Sequence, residues 1–97
     1  MEQQKREIKI KVRDEDLRGV YSNLMQVLHT KDEFILDFFL VSPPNGVLNS
    51  RVITSPAHLK RMLKALQENL EKYENKFGKI KEVEETEEKI GFVAQEK

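Results

Sequence analysis

The stretch from Phe34 to Val41 constrains the fold more than any other part of this chain. Its apolar side chains fall on both sides of an extended backbone: Phe34, Leu36, Phe38 and Leu40 on one side, and Ile35, Phe39 and Val41 on the other. Only Asp37 interrupts the pattern. A strand that is apolar on both faces is usually central in its sheet and covered on both sides. The sequence therefore predicts a sheet with two faces to cover.

Three further segments predict strands beside this one. Glu7 to Arg13 alternates strictly between apolar and charged residues, as a half-buried strand does. Val20 to Thr30 is rich in β-branched and aromatic residues, which favours a strand, although Leu24, Val27 and Leu28 also have helical spacing. Val47 to Thr54 is less apolar and suits an edge. A polar connection at residues 14–19 and turns at residues 30–33 and 42–46 separate the strands, which predicts an antiparallel four-stranded meander.

One long helix is predicted to follow the sheet. Ser55 is placed to cap it, Pro56 suits its first position and Gly78 its end. Its apolar residues recur at spacings of four and three: Leu59, Leu63, Leu66, Leu70, Tyr73 and Phe77. The fold class is then α+β, with residues 1–80 forming a single domain. Residues 81–97, mostly Lys and Glu, are expected to be a flexible tail.

A monomer of this kind leaves apolar surface uncovered. Four strands make a sheet roughly 19 Å wide, whereas one helix covers about 10 Å. Monomers seldom keep a large exposed apolar patch, so we expect a homo-oligomer, with a dimer first. The expected interface comprises Ile35, Phe39 and Val41 in the sheet and Leu63, Leu66, Leu70 and Tyr73 in the helix. The same surfaces suit a protein or peptide partner.

The composition indicates which partners and which cellular compartment to expect. The 17 basic residues equal the 17 acidic ones, so net charge favours neither nucleic acid nor an anionic membrane. No apolar run reaches the roughly 18 residues of a membrane span, and no signal peptide is recognisable. The chain has no cysteine, which fits a reducing compartment. We therefore expect a cytoplasmic protein.

No catalytic or metal-binding pattern emerges from the residues. His29 and His58 each lack a closely spaced ligand partner, and the four glycines are scattered singly. We therefore expect no enzymatic activity, no metal and no cofactor. Asp37, in its apolar strand, needs a partner. Arg51 faces it if residues 42–46 form a loop, but lies on the other side of the sheet if Asn45-Gly46 is a two-residue turn. The prolines favour the loop.

A basic cluster lies around the start of the helix. Arg51, His58, Lys60 and Arg61 place positive charge near free backbone N–H groups, which suits phosphate, nucleic acid or an acidic peptide. The same residues also fit a solvated basic face paired with Glu68 or Glu71. An anion- or nucleic-acid-binding regulator is therefore the alternative to a non-enzymatic binding or scaffold module.

Several ordered motifs resemble a known family. They are Gly19-Val20-Tyr21-Ser22-Asn23, then Glu33-Phe34-Ile35-Leu36-Asp37-Phe38, then the run from Ser50 to Arg61, and finally Leu66 to Leu70, Tyr73-Glu74 and Phe77-Gly78. From about residue 7 to 80 they are similar to the uncharacterised family called domain of unknown function 3467. That resemblance implies one shared small fold and no activity. In architecture alone, a four-stranded antiparallel sheet followed by a helix is similar to SecB-type export chaperones, which hold unfolded chains on apolar grooves.

Overall fold

The computed structural model describes residues 6–82. Along the chain, a short helix is followed by three strands and then by a long helix. The elements are α1 (Asp14–Arg18), β1 (Leu24–His29), β2 (Phe34–Ser42), β3 (Asn45–Thr54) and α2 (Pro56–Phe77). The strands form one antiparallel sheet in the order β1-β2-β3, so the strand that is apolar on both faces is central. The α+β class is confirmed, but the predicted fourth strand is absent from the described residues.

The missing strand is the first one. Residues 7–13 pair with no other strand in the described part of the chain, and α1 follows at once. Alternation reports which side chains need cover, but it does not say which backbone supplies the hydrogen bonds. The sequence reading also missed α1, whose first turn holds three acidic residues that its dipole favours. Arg13 binds the Asp16 carboxylate at 3.0 Å, and Gly19, at φ 69°, ends the helix.

The chain enters β1 through side-chain hydrogen bonds to β2. The Ser22 hydroxyl lies 3.0 Å from the carbonyl oxygens of both Leu24 and Phe39. The Asn23 amide accepts from the Val41 N–H at 2.8 Å and donates to the Val41 carbonyl at 2.9 Å. β1 is therefore a strand rather than a helix, as expected. It begins four residues later than predicted, because at Ser22 and Asn23 side-chain hydrogen bonds to β2 take the place of the regular backbone pairing.

The turn between β2 and β3 differs from both predicted forms. Ser42 pairs with Asn45, so the two-residue turn is Pro43-Pro44, joined by a cis peptide bond. A bulge then leaves Asn49 without a β2 partner, because Phe38 pairs with Ser50 and Phe39 with Leu48. The bulge shifts the register by one residue. Asp37 therefore faces Arg51, as the preferred register predicted, whereas Val41 faces Gly46 instead of Val47.

The register sorts the side chains of the sheet onto two faces. We call one the polar-row face, because Gln26, Asp37 and Arg51 form a row across its three strands. We call the other the apolar face, because it carries no Asp, Glu, Lys or Arg. Its members are Met25, Val27, His29, Phe34, Leu36, Phe38, Leu40, Ser42, Asn45, Val47, Ser50, Val52 and Thr54. The buried hydrophobic core of the described chain is Leu36 and Phe39, one from each face and each 5% exposed.

The long helix has the predicted bounds. The Ser55 hydroxyl accepts a hydrogen bond from the His58 N–H at 3.1 Å, and Pro56 is the first helical residue. Gly78, at φ 96°, ends the helix and donates its N–H to the Glu74 carbonyl at 2.8 Å. The chain divides into two compact units between Met62 and Leu63. Most of the predicted tail, from residue 83 onward, lies outside the described residues.

Candidate functional site

An ion pair occupies the centre of the polar-row face. The side chain of Asp37 is fully shielded from solvent, and that of Arg51 is about half exposed. The guanidinium donates twice, from Nε to Oδ1 at 2.7 Å and from Nη2 to Oδ2 at 2.9 Å. This bidentate geometry is the strong form of the pair. The structure thus confirms the Asp37–Arg51 contact that the sequence left open.

The pair fixes the charge state of Asp37. The hydrogen bonds from Arg51 hold the pKa of the Asp37 carboxyl below its usual range; burial opposes this shift, and the attraction of the positive charge adds to it. The same contact raises the pKa of Arg51. A carboxylate that stays ionised at neutral pH, with both oxygens bound, is a poor general acid or base at that pH. The pair is therefore suited to structure rather than to proton transfer.

Gln26 completes the polar row, and the sequence reading missed it. Gln26 faces Asp37 across β1 and β2, with its Oε1 buried and accepting no hydrogen bond from the described residues. A buried acceptor without a donor costs stability. The signal was present in the sequence, because Gln26 is the polar residue between Leu24 and Leu28 on one face of a strand.

The start of α2 brings together only part of the predicted basic cluster. His58, Lys60 and Arg61 are exposed, and none of them forms an ion pair within residues 6–82. The first turn of α2 holds no acidic residue. The guanidinium of Arg51, however, is already bound to Asp37, and the Ser55 hydroxyl occupies one free N–H of the helix. Three of the four predicted residues thus remain open to an anion.

The helix carries an exposed apolar stripe. Its members, Leu63, Leu66, Leu70, Tyr73 and Phe77, are between 47% and 67% exposed, and no residue of α2 is buried. The rings of Tyr73 and Phe77 lie 5.0 Å apart, so the stripe is continuous at its C-terminal end. Stripe residues separated by three or four positions lie on one side of a helix. The stripe is therefore one connected apolar surface, which includes all four of the predicted helix-interface residues.

The predicted interface residues of the sheet are less accessible than those of the helix. Phe39 is buried, and Ile35 and Val41 are half-buried. All three lie on the polar-row face, whereas larger apolar exposure is found on the apolar face. There five side chains are between 41% and 60% exposed: Met25, Val27, Leu40, Val47 and Val52. The exposed apolar surface of the sheet is thus mainly on the side opposite to Ile35, Phe39 and Val41.

The described residues contain no cluster of three His, Asp or Glu side chains that could hold a metal ion. No helix among them is long and apolar enough to cross a membrane. Three exposed features stand out among the described residues: the stripe of α2, the apolar face of the sheet and the basic start of the helix.

Comparisons with known proteins identify one family. A family model described as a protein of unknown function, DUF3467, matches residues 1–82. No curated protein and no solved structure matches the chain. The match covers the whole of the described fold, and its description assigns no activity to any residue.

Proposed function

This chain belongs to the DUF3467 family, and we propose from its geometry that it is a self-associating, non-enzymatic binding module. In this proposal two copies pack through the stripe of α2, and the apolar face of the sheet holds extended, unfolded segments of other proteins. The two surfaces belong to different elements of the chain, so each can be tested by its own substitutions.

One observation carries the proposal. Among the described residues only Leu36 and Phe39 are buried hydrophobic side chains, whereas twenty large hydrophobic side chains are exposed. Two buried side chains cannot offset the conformational entropy lost when some seventy residues become ordered. Large exposed apolar patches mark surfaces that a partner covers. This scarcity of buried apolar contacts supports the proposal that other chains cover the exposed side chains.

The stripe of α2 supports the choice of a second copy as its partner. Its spacing of three and four residues matches the seam of a two-helix coiled coil. The positions that flank the stripe include Gln67, Asn69, Glu74 and Lys76, which carry one charge of each sign, so two identical helices can approach without net repulsion. A two-fold dimer is the simplest closed assembly of such surfaces.

The mass of the protein in solution tests self-association. Light scattering at micromolar concentration should give a dimer or larger, and Leu66→Glu should shift the population towards the monomer. Asn75→Glu is the matched control, since it adds the same charge roughly 160° around the helix from the centre of the stripe. A monomeric wild type contradicts the proposal, and so does equal behaviour of the two variants.

The apolar face suits extended peptides because it lacks Asp, Glu, Lys and Arg while exposing side chains from all three strands. Chemically reduced insulin, which aggregates as it unfolds, tests this part. The protein should suppress that aggregation at stoichiometric ratios, and Val27→Glu should weaken the effect. Leu28→Glu, which adds the same charge at a similarly exposed position on the polar-row face of β1, should not. Absence of suppression by the wild type argues against peptide holding while leaving self-association intact.

Anion or nucleic-acid binding at the start of α2 is the second candidate function. It is supported by three exposed basic residues without ion pairs in the described chain and by the lack of an acidic residue in the first turn. Binding through phosphate contacts weakens steeply with salt. A salt-insensitive affinity, or one unchanged in Lys60→Glu/Arg61→Glu, contradicts this candidate.

A further inference from the structure

Residues 7–12 combine the side-chain pattern of a strand with the absence of a partner strand. Ile8, Ile10 and Val12 alternate with charged residues, and each of Ile8 and Ile10 is 79% exposed. No backbone hydrogen bond joins this segment to a strand within residues 6–82. Such alternation usually reflects selection for one buried face and a paired backbone. The segment thus lacks both a covered face and a ladder.

The outer edge of β3 lacks a partner strand as well. β3 pairs with β2 alone, so the backbone groups along its other side have no ladder partner in the described chain. The side chains of Leu48 and Ile53, on the polar-row face of β3, are 42% and 54% exposed. An added strand would pair those backbone groups and could cover both side chains.

We infer that residues 7–12 of one chain add as a strand to the outer edge of β3 in a second copy, giving each sheet four strands by mutual exchange. This inference rests on the proposed self-association and names how the sheets take part in it. The exchanged sheet would have the predicted number of strands, but its added strand lies beside β3 and not beside β1, where a meander would place it.

The course of the chain selects the β3 side. The carbonyl of Tyr21 accepts a hydrogen bond from the side-chain amide of Asn49, the bulged residue of β3, at 2.5 Å. This contact holds the chain that precedes β1 beside β3 and away from the free edge of β1. In a two-fold dimer formed there, the β3 edges of both copies face the exchanged segments.

Length also favours β3 over β1, and charge decides which side of the segment lies on the polar-row face. β3 has ten residues and β1 has six, so β3 offers the longer edge for the segment. In one orientation of the added strand, its apolar side chains (Ile8, Ile10 and Val12) lie on the polar-row face beside Leu48 and Ile53. Lys9 and Lys11 then lie on the other face, beside the uncharged Ser50 and Val52. The opposite orientation would place both lysines on the face of Arg51, where like charges repel.

The absence of cysteine makes the exchange directly testable. Lys11→Cys and Ser50→Cys are introduced on separate full-length chains, which are mixed by unfolding and refolding and then treated with a short bismaleimide. A covalent heterodimer on a denaturing gel is the expected product. Lys11→Cys mixed with Met25→Cys, on the far edge of the sheet, should give little.

The outcomes separate the inference from the proposed function. A dimer by light scattering without the Lys11→Cys/Ser50→Cys product overturns strand exchange and leaves self-association standing. Preferential linkage to Met25→Cys overturns the β3 assignment. Linkage only within a single chain carrying both substitutions shows that the strand adds to its own sheet, which also overturns exchange. A monomer in solution removes the proposed function and the inference together.

A paired substitution gives a second measurement. Ile10→Asp should weaken dimerisation roughly tenfold or more, because one large side chain loses its buried site. Lys9→Asp, on the solvated side of the segment, should change it far less. Equal dissociation constants for these two variants contradict the inference even if the cysteine variants refold poorly.

Discussion

The Asp37–Arg51 pair dominates the sheet at the scale of single residues. Its carboxylate is shielded from solvent at the centre of the central strand, with a bidentate guanidinium as its partner. Pairs of this kind contribute to stability less than their geometry suggests, but removing one partner leaves a buried charge unpaired. The pair also excludes registers that would place Asp37 against an apolar residue, and so helps to align β2 with β3.

The Asp37–Arg51 pair makes the free energy of unfolding depend on pH in the acid range. The pKa of Asp37 in the folded chain lies below that in the unfolded chain, so the unfolded state binds a proton first as pH falls. The contribution of Asp37 is fully present above the unfolded pKa of about 4 and is lost as pH drops through the lower folded pKa. Urea unfolding at pH 7 and pH 3 should show a smaller difference for Asp37→Asn than for the wild type.

Asp16 provides the control for this pH dependence. Its pKa is also lowered, chiefly by hydrogen bonds from Arg13, but its side chain is about half exposed and the two residues lie in one short helix. Asp16→Asn should therefore leave most of the acid sensitivity in place. An acid response that is unchanged in Asp37→Asn would contradict the role assigned to the pair.

Replacing Gln26 is expected to stabilise the protein, whereas replacing Asp37 removes a stabilising contact. Its buried Oε1 accepts no hydrogen bond within residues 6–82, and an apolar side chain of similar size removes that cost. Gln26→Leu should raise the free energy of unfolding by about 1 kcal/mol, measured by urea denaturation. Gln67→Leu, at an exposed position of α2, should change it by less than about 0.5 kcal/mol. Destabilisation by Gln26→Leu would show that Gln26 has a partner in the assembled protein.

At the scale of elements, the two ends of α2 were predictable because they depend on local chemistry. Ser55 and Pro56 define the start and Gly78 defines the end, each through backbone groups within a few residues. Ser55→Ala should cost about 1 kcal/mol of stability, as measured by chemical unfolding, because the His58 N–H loses its acceptor. Ser42→Ala, at the exposed end of β2, should cost little, and equal losses would contradict a capping role for Ser55.

Other elements were not predictable because their determinants are not local. The Asp37–Arg51 contact was predicted from a five-residue loop, yet it arises from a two-residue turn at Pro43-Pro44 followed by a bulge at Asn49. The shorter turn shifts the pairing of β3 with β2 by one residue, and the bulge shifts it back by one residue. The alternation of apolar residues indicates neither feature. The side chain of Asn49 donates a hydrogen bond to the carbonyl of Tyr21, 28 positions away, so the bulge has a stabilising contact outside the hairpin.

The segment from Glu7 to Arg13 illustrates a different limit. Its alternation was interpreted as a strand of the same sheet, but within one described chain it has no partner strand. A period of two reports that one face is meant to be covered and leaves open which molecule covers it. The exposed stripe of α2 has the same property, since helical spacing fits a sheet, a coiled coil or a peptide equally well.

At the scale of the whole molecule, the scarcity of buried apolar side chains connects stability to assembly. In the proposed assembly the folded protomer depends on contacts with other chains, because the described residues bury only two hydrophobic side chains. Folding and association are then one equilibrium, whose midpoint depends on protein concentration. The melting temperature should therefore rise measurably when the protein concentration is increased a hundredfold, whereas a self-sufficient monomer shows no such shift.

The variants of α2 make this last prediction specific to the stripe. Leu66→Glu places a charge in the middle of the stripe, so it should lower the melting temperature and weaken its rise with concentration. Asn75→Glu carries the same added charge on the opposite side of the helix and should keep the wild-type concentration dependence. Calorimetry at two concentrations measures both effects. If all three proteins melt at temperatures independent of concentration, the protomer is stable alone, and the exposed stripe has to be assigned to a partner other than a second copy.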